Sequence, residues 1–128
     1  MAESYPDDLR YHPEHDWARV DGDEATFGVT WFAQDQLGEV VFVDLPEAGK
    51  VVEAGSTYAE VESVKAVSDV FAPLTGEVVA VNESLNDSPE RINADPYGDG
   101  WIVRVRLTDA SEVDGLLDVN AYKDLLSG

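Results

Sequence analysis

The chain has 128 residues, 44% of them hydrophobic, enough for one domain with a real core. Eight Lys and Arg against 27 Asp and Glu leave a formal net charge of −19. Such a surface repels phosphate backbones and anionic lipid, which argues against nucleic-acid and membrane binding. The absence of cysteine removes disulfide scaffolds, thiolate zinc sites, iron–sulfur clusters and thiol catalysis.

The opening MAESYPDDLR has neither a basic run nor an apolar stretch, so no secretory signal is expected and the reading is a cytoplasmic protein. Asp16–Val20 and Ala25–Val29 flank Asp21-Gly22-Asp23 and predict a hairpin. Thr30 is placed to cap a short helix from Trp31 to Leu37, which Gly38 stops. Val40–Leu45, Thr57–Val61, Val67–Phe71 and Gly76–Asn82 are β-rich runs bounded by Pro and Gly. The longest aliphatic and aromatic run, Val40 to Val43, is far too short to span a membrane. Glu83 to Gly100 is polar and rich in Asn, Asp and Pro, and reads as a loop. Trp101–Leu107 is the last strand. Ser111 to Leu126 has helical spacing, with Leu116, Leu117, Tyr122, Leu125 and Leu126 on one stripe.

An internal repeat organises these pieces. Val40-x-x-Val43-x-x-Pro46-x-x-Gly49-x-Val51-Val52 recurs as Val67-x-x-Val70-x-x-Pro73-x-x-Gly76-x-Val78-Val79, at a constant offset of 27. Two copies are too few for a solenoid and suit a sandwich of two pseudo-symmetric half-sheets. The seam between them, Glu62 to Asp69, is nearly palindromic about the Lys65–Ala66 bond. That symmetry predicts a β-hairpin with Lys65-Ala66 at its tip, Val64 facing Val67, Ser63 facing Ser68 and Glu62 facing Asp69. Lysine is scarce, only Lys50, Lys65 and Lys123, yet one occupies this tip between small or apolar neighbours. An accessible amine on a projecting central hairpin is what an enzyme that acylates lysine needs, and is the geometry of swinging-arm carriers. The plainer reading is a solvated surface lysine.

The seam Glu62-Ser63-Val64-Lys65-Ala66-Val67-Ser68-Asp69, with Gly38-Glu39-Val40-Val41-Phe42-Val43-Asp44-Leu45-Pro46 before it, closely resembles the H proteins of the glycine cleavage system. The resemblance extends to His15-Asp16-Trp17, Gly28-Val29-Thr30 with Ala33-Gln34, Gly76-Glu77-Val78-Val79, Asp95-Pro96-Tyr97-Gly98-Asp99-Gly100-Trp101 and Ala121-Tyr122. It covers nearly the whole chain from Tyr11, in order. It implies a mainly β barrel-sandwich hybrid of the lipoyl- and biotinyl-carrier type, with a short helix in the N-terminal half and a C-terminal helix. A single domain is expected over residues 1–128, its core at about 15–108 and a helical segment at about 109–127.

The resemblance also implies a lipoyl group amide-linked to Lys65 by a lipoate-attaching enzyme, and a carrier with no catalysis of its own. Its partners would be the P protein, a pyridoxal-phosphate glycine decarboxylase; the T protein, an aminomethyltransferase; and the L protein, a dihydrolipoyl dehydrogenase. The dithiolane would take an aminomethyl group at the first, surrender it at the second and be reoxidised at the third. The sulfur chemistry then belongs to the cofactor, consistent with a chain that has no cysteine. A cleft lined by carboxylates would hold the cationic aminomethyl amine and keep water from the labile adduct. Asp69, Glu14 and Asp16 are the candidates, Asp16 standing where the family usually has a longer Glu.

Other sites fail. His12 and His15 have no further His or Cys to complete a metal site. Asn93 to Gly98 imitates a calcium loop, but its twelfth position is Arg104. Biotin carriers flank their lysine with methionines, whereas the only Met here is Met1. Lipoyl domains of 2-oxoacid dehydrogenases usually have Asp before the lysine, where this chain has Val64. A lipoate-relay protein of H type and a non-lipoylated interaction module remain the alternatives. A monomer is expected. The acidic excess, 15 Asp over 12 Glu, suggests a salt-rich cytoplasm whose screening relieves self-repulsion.

Overall fold

The computed structural model describes residues 3–127. Nine strands form two sheets. Strands β1 (Arg10–His12), β2 (Asp16–Asp21), β3 (Glu24–Val29), β5 (Val51–Val52), β8 (Gly76–Val81) and β9 (Val103–Leu107) make a six-stranded sheet in the order β1-β2-β3-β9-β8-β5. Strands β4 (Val40–Asp44), β6 (Thr57–Ser63) and β7 (Val67–Phe71) make a three-stranded sheet in the order β4-β6-β7. All pairings are antiparallel.

Apolar side chains of the two sheets meet between them. Phe27 and Val29 of β3, Val103 and Val105 of β9 and Val78 of β8 share one buried cluster with Val40 and Val43 of β4, Val61 of β6 and Val70 of β7. This is the sandwich that the repeat calls for, and both sheets contain both copies. Each copy gives its first strand (β4 or β7) to the small sheet and its second (β5 or β8) to the large one. The Pro-x-x-Gly segment is the crossover. Gly49 donates its N–H to the Val78 carbonyl at 2.7 Å, so the first crossover is tied to β8, the strand that follows the second.

The β2–β3 hairpin forms as expected, with Asp21 opposite Glu24 and Gly22 at φ 65° in the two-residue loop. Helix α1 (Trp31–Leu37) is capped by the Thr30 hydroxyl, which accepts from Ala33 N–H, and ends at Gly38, φ 79°. The polar stretch from Glu83 to Gly100 is more than a loop: it holds two single-turn helices, α2 (Ser84–Asp87) and α3 (Arg91–Ala94), whose Leu85 and Ile92 plug the main core. The C-terminal segment is likewise not one continuous stripe. A 3₁₀ turn (Ala110–Gly115) precedes helix α4 (Val119–Ser127), Leu116 packs on the main core, Leu117 and Leu126 on a second cluster, and Leu125 is exposed.

That second cluster is aromatic. Leu9, Tyr11, Trp17, Tyr97 and Tyr122 are buried together, Tyr11 stacked on Tyr122 at 4.6 Å between centroids. Trp17 donates from Nε1 to the Pro96 carbonyl at 3.0 Å, and the Tyr97 hydroxyl accepts from Trp31 N–H at 2.9 Å while donating to the Ser4 carbonyl at 2.7 Å. Gly28 is the cross-strand partner of Trp17, whose indole lies against it: a Cβ there would stand 2.6 Å from Trp17 Cζ2. Gly28→Ala forces the indole out of this cluster and is expected to cost about 1–3 kcal/mol, read as a lower urea midpoint at unchanged slope.

Candidate functional site

The β6–β7 hairpin puts Lys65 at its tip, though in a register displaced from the palindromic one. Glu62 pairs with Val67, Val61 with Ser68 and Glu60 with Asp69, so the two-residue tip is Val64-Lys65, not Lys65-Ala66. Val64 therefore does not face Val67, nor Ser63 Ser68, nor Glu62 Asp69. The reason is Ser63. Its N–H donates to the Ala66 carbonyl at 2.8 Å, and its buried hydroxyl accepts from the N–H groups of Lys65 at 3.3 Å and Ala66 at 3.1 Å. The hydroxyl closes the turn as in an ST-turn, and neither Val64 nor Lys65 takes the positive φ that Gly or Asn supplies in the common two-residue hairpin turns.

The tip is tied down on one side. Val64 N–H donates to the Glu39 carbonyl at 3.1 Å, and the Lys65 stem lies over Gly38, where a Cβ would stand 3.4 Å from Lys65 Cε. Asn93 of α3 holds that segment. Its amide donates to the Gly38 carbonyl at 2.8 Å and to Gln34 Oε1 at 3.0 Å, and its Oδ1 accepts from Val40 N–H at 2.8 Å. The sequence reading did not single out Asn93 for a role here, because its partners lie 53 to 59 positions away.

Beside the tip, between α1 and β7, opens a cleft of about 360 Å³. Ala66, Val67, Ser68 and Asp69 form one wall, and Glu14 and Asp16 enter from the β1–β2 turn, so all three candidate acids line it. They are not equivalent. Glu14 and Asp69 are exposed, whereas Asp16 is 2% exposed. Burial raises the Asp16 pKa well above the usual carboxylate range, against the hydrogen bond from Phe71 N–H, with Glu14 adding to the rise. Its Oδ2 has no protein partner, and neither does the buried Tyr58 hydroxyl, whose own pKa burial and Asp16 raise.

His15, unassigned by the sequence reading, also lines the cleft. Among the described residues it is the only non-glycine with positive φ, 75°. The strain is held by Thr30 N–H donating to its carbonyl at 3.0 Å, by its N–H donating to the His12 carbonyl at 2.9 Å, and by Tyr122 Oη 2.8 Å from Nδ1. Burial lowers its pKa. The C-terminal helix thus reaches the cleft rim through Tyr122, whose hydroxyl also lies 2.8 Å from Thr30 Oγ1. A larger open groove of about 730 Å³, along Asp44–Lys50 and Thr57–Glu60, contains none of the tip residues.

The arrangement is thus an exposed lysine on a sandwich hairpin beside an acidic cleft. The glycine cleavage H-protein family model matches residues 9–128. The chain belongs to that family. A probable glycine cleavage system H protein of Haloarcula marismortui is 55% identical over 124 residues, covering 97% of this chain and 98% of its own. The glycine cleavage system H protein of Bacteroides thetaiotaomicron is 48% identical over 125 residues, covering 98% and 99%. The solved glycine cleavage system H protein of Mycobacterium marinum superposes with TM-score 0.88 at 39% identity, covering 97% of this chain and all of that one. The barrel-sandwich hybrid fold stands on that superposition and on the two sheets described above.

The buried carboxyl gives a pH test. With its folded pKa raised, the native state holds a proton that the unfolded chain releases. Stability therefore falls as pH rises from the unfolded value of 3.8 through the raised one, and the whole cost is present above both. Asp16→Asn keeps an acceptor for Phe71 N–H and removes the charge. It is expected to melt higher than the parent at neutral pH, with the advantage shrinking as pH falls toward 3.8. An advantage that grows on acidification would contradict the assignment.

Proposed function

We propose that this chain is the lipoyl carrier of a glycine cleavage system, with lipoate amide-linked to Lys65. The supporting observation is the hairpin tip itself: an exposed lysine, one of three in the chain, on a turn fastened to the body and opening beside the acidic cleft. The residues present fit the group. The Lys65 side chain is exposed, its stem runs past Gly38, and the cleft begins at Ala66. When attached, the dithiolane supplies a disulfide that accepts an aminomethyl group and is later reoxidised.

The chain's own residues would orient and protect. Glu14 and Asp69 offer exposed carboxylates to an alkylammonium at the mouth of the cleft, and Asp16 offers an oxygen that lacks a protein partner at its buried wall. Phe32 and Leu37 line the cleft from α1 and keep water from the held group. His15, with its pKa lowered by burial, adds no competing positive charge at neutral pH. Tethering raises the local concentration of the carried group at each of three partners: the P, T and L proteins. No active-site chemistry beyond carriage is assigned to the chain, and it works as a monomer.

Incubation with lipoate, ATP and a lipoate–protein ligase, followed by intact mass, tests this reading. The parent is expected to gain one lipoyl adduct and Lys65→Arg none; an unmodified parent, where a control domain is modified, removes the proposal.

We infer further that the protein works in concentrated salt. Among the described residues Arg106 and Glu77 form the only ion pair, at 4.0 Å and exposed, so the excess negative charge is largely uncompensated. Asp44, Glu60 and Asp69 pair directly across the small sheet, a row of like charges that costs stability. Raising potassium chloride from about 0.1 M to about 1 M shortens the screening length from about 10 Å to about 3 Å. The melting temperature is expected to rise over that range; a flat or falling curve contradicts the inference.

A further inference from the structure

We propose that the outer face of the small sheet beside Lys65 is an apolar anchor for the enzyme that acylates the lysine, a partner with an apolar active-site mouth and a basic rim. The inference rests on the carrier reading and adds the surface by which the lysine is recognised.

Seven large hydrophobic residues are exposed among the described residues, and four of them surround the tip: Val41 at 45%, Phe42 at 53%, Val64 at 68% and Val67 at 61%. Singly exposed apolar residues are ordinary, but four gathered at one end of one sheet are not. Backbone geometry presents them. The register of β4 on β6 shifts between Val40–Ser63 and Phe42–Glu62, so Val41 and Phe42 together oppose a single interval of β6. This bulge lets two successive residues face solvent where a regular strand would bury one. Phe42, Glu62 and Val67 then form one cross-strand row, with Val64 in the adjoining turn.

The next row away from the tip is Asp44, Glu60 and Asp69. An apolar end backed by carboxylates matches an apolar recess edged by Lys or Arg. A second copy of this chain does not match it, since each copy carries −19 and brings the same acidic row. Acylation is the event that most requires contact here. The amine stands only four carbons from its Cα, so an enzyme that acts on it must close around the tip. Lipoate and ATP first give a lipoyl adenylate, with pyrophosphate leaving. The amide bond then forms between the neutral Nζ amine and the acyl carbon as its bond to AMP breaks; AMP leaves, and the amine's proton passes to solvent.

The test is the kinetics of lipoylation by a purified lipoate–protein ligase, with intact mass as readout. Phe42→Ser and Val67→Ser, both at exposed positions, are expected to raise KM for the chain by about 10-fold or more with little change in kcat, as loss of an interface anchor does. Glu60→Lys is expected to raise KM as well. Val51→Ser, an equally exposed apolar position on β5, is expected to match the parent. Folding is checked by the melting curve of each variant. Unchanged KM in folded Phe42→Ser and Val67→Ser overturns the proposal. So does a Phe42→Ser variant, outside the cleft, that loads normally but, once loaded, fails with the glycine decarboxylase, since the surface would then serve that enzyme. A parent dimer that Phe42→Ser dissolves would assign it to self-association and overturn it too. A parent that is never lipoylated removes the underlying carrier reading, and is told apart by the failure of every variant alike.

Discussion

The Val64 N–H bond to the Glu39 carbonyl is the constraint on which the carrier geometry depends. A lysine that must be handed to several enzymes has to project, and a projecting two-residue turn has little packing of its own. Here the turn is closed internally by Ser63 and fastened externally to the segment after α1. That segment is in turn fixed by Asn93, which satisfies Gly38 C=O and Val40 N–H together. The small helices after β8 therefore serve the site at a distance. In the carrier reading proposed above, the turn is fastened at its base, so the reach of the arm falls to the lysine side chain and the group attached to it, not to the backbone.

The same logic divides the acids. Of 27 carboxylates most form a solvated coat, but two from the β1–β2 turn and one from β7 converge on the cleft. Glu14 and Asp69 remain in contact with water, whereas Asp16 is drawn inside beside Tyr58, with an oxygen left unpaired. A buried carboxyl with one oxygen bonded to Phe71 N–H and the other unpartnered opposes folding, and such an oxygen calls for a role in the site. His15 shows a similar compromise: its left-handed backbone turns the chain so that Glu14 and Asp16 reach the cleft, and Thr30 and Tyr122 hold it there.

Much of this was legible in the sequence. Alternation, turn residues and the 27-residue repeat located the β2–β3 hairpin, α1 and strands β4, β6, β7, β8 and β9, because those features are decided by neighbours along the chain. The hairpin register was not legible: Val64 and Val67 look alike, while the deciding interactions are hydrogen bonds of one serine hydroxyl. Strand β1 is three residues long, and its Tyr11 is held in part by a bridge to Leu117 that no local pattern announces. The helical turns of the 83–100 segment exist because Leu85 and Ile92 find the core, an outcome that its polar composition conceals. Lys65 stood out because lysine is rare; Asn93, which supports its post, did not, since its meaning is entirely tertiary.

The central claim is carriage in glycine cleavage, and it is met most directly by glycine–bicarbonate exchange. The lipoylated chain is mixed with a glycine decarboxylase, labelled bicarbonate and glycine. Label is expected to enter glycine in proportion to the lipoylated chain added, and the unlipoylated chain to support no comparable exchange. Full lipoylation of Lys65 with no exchange above that background would contradict it and leave a protein that relays lipoate elsewhere.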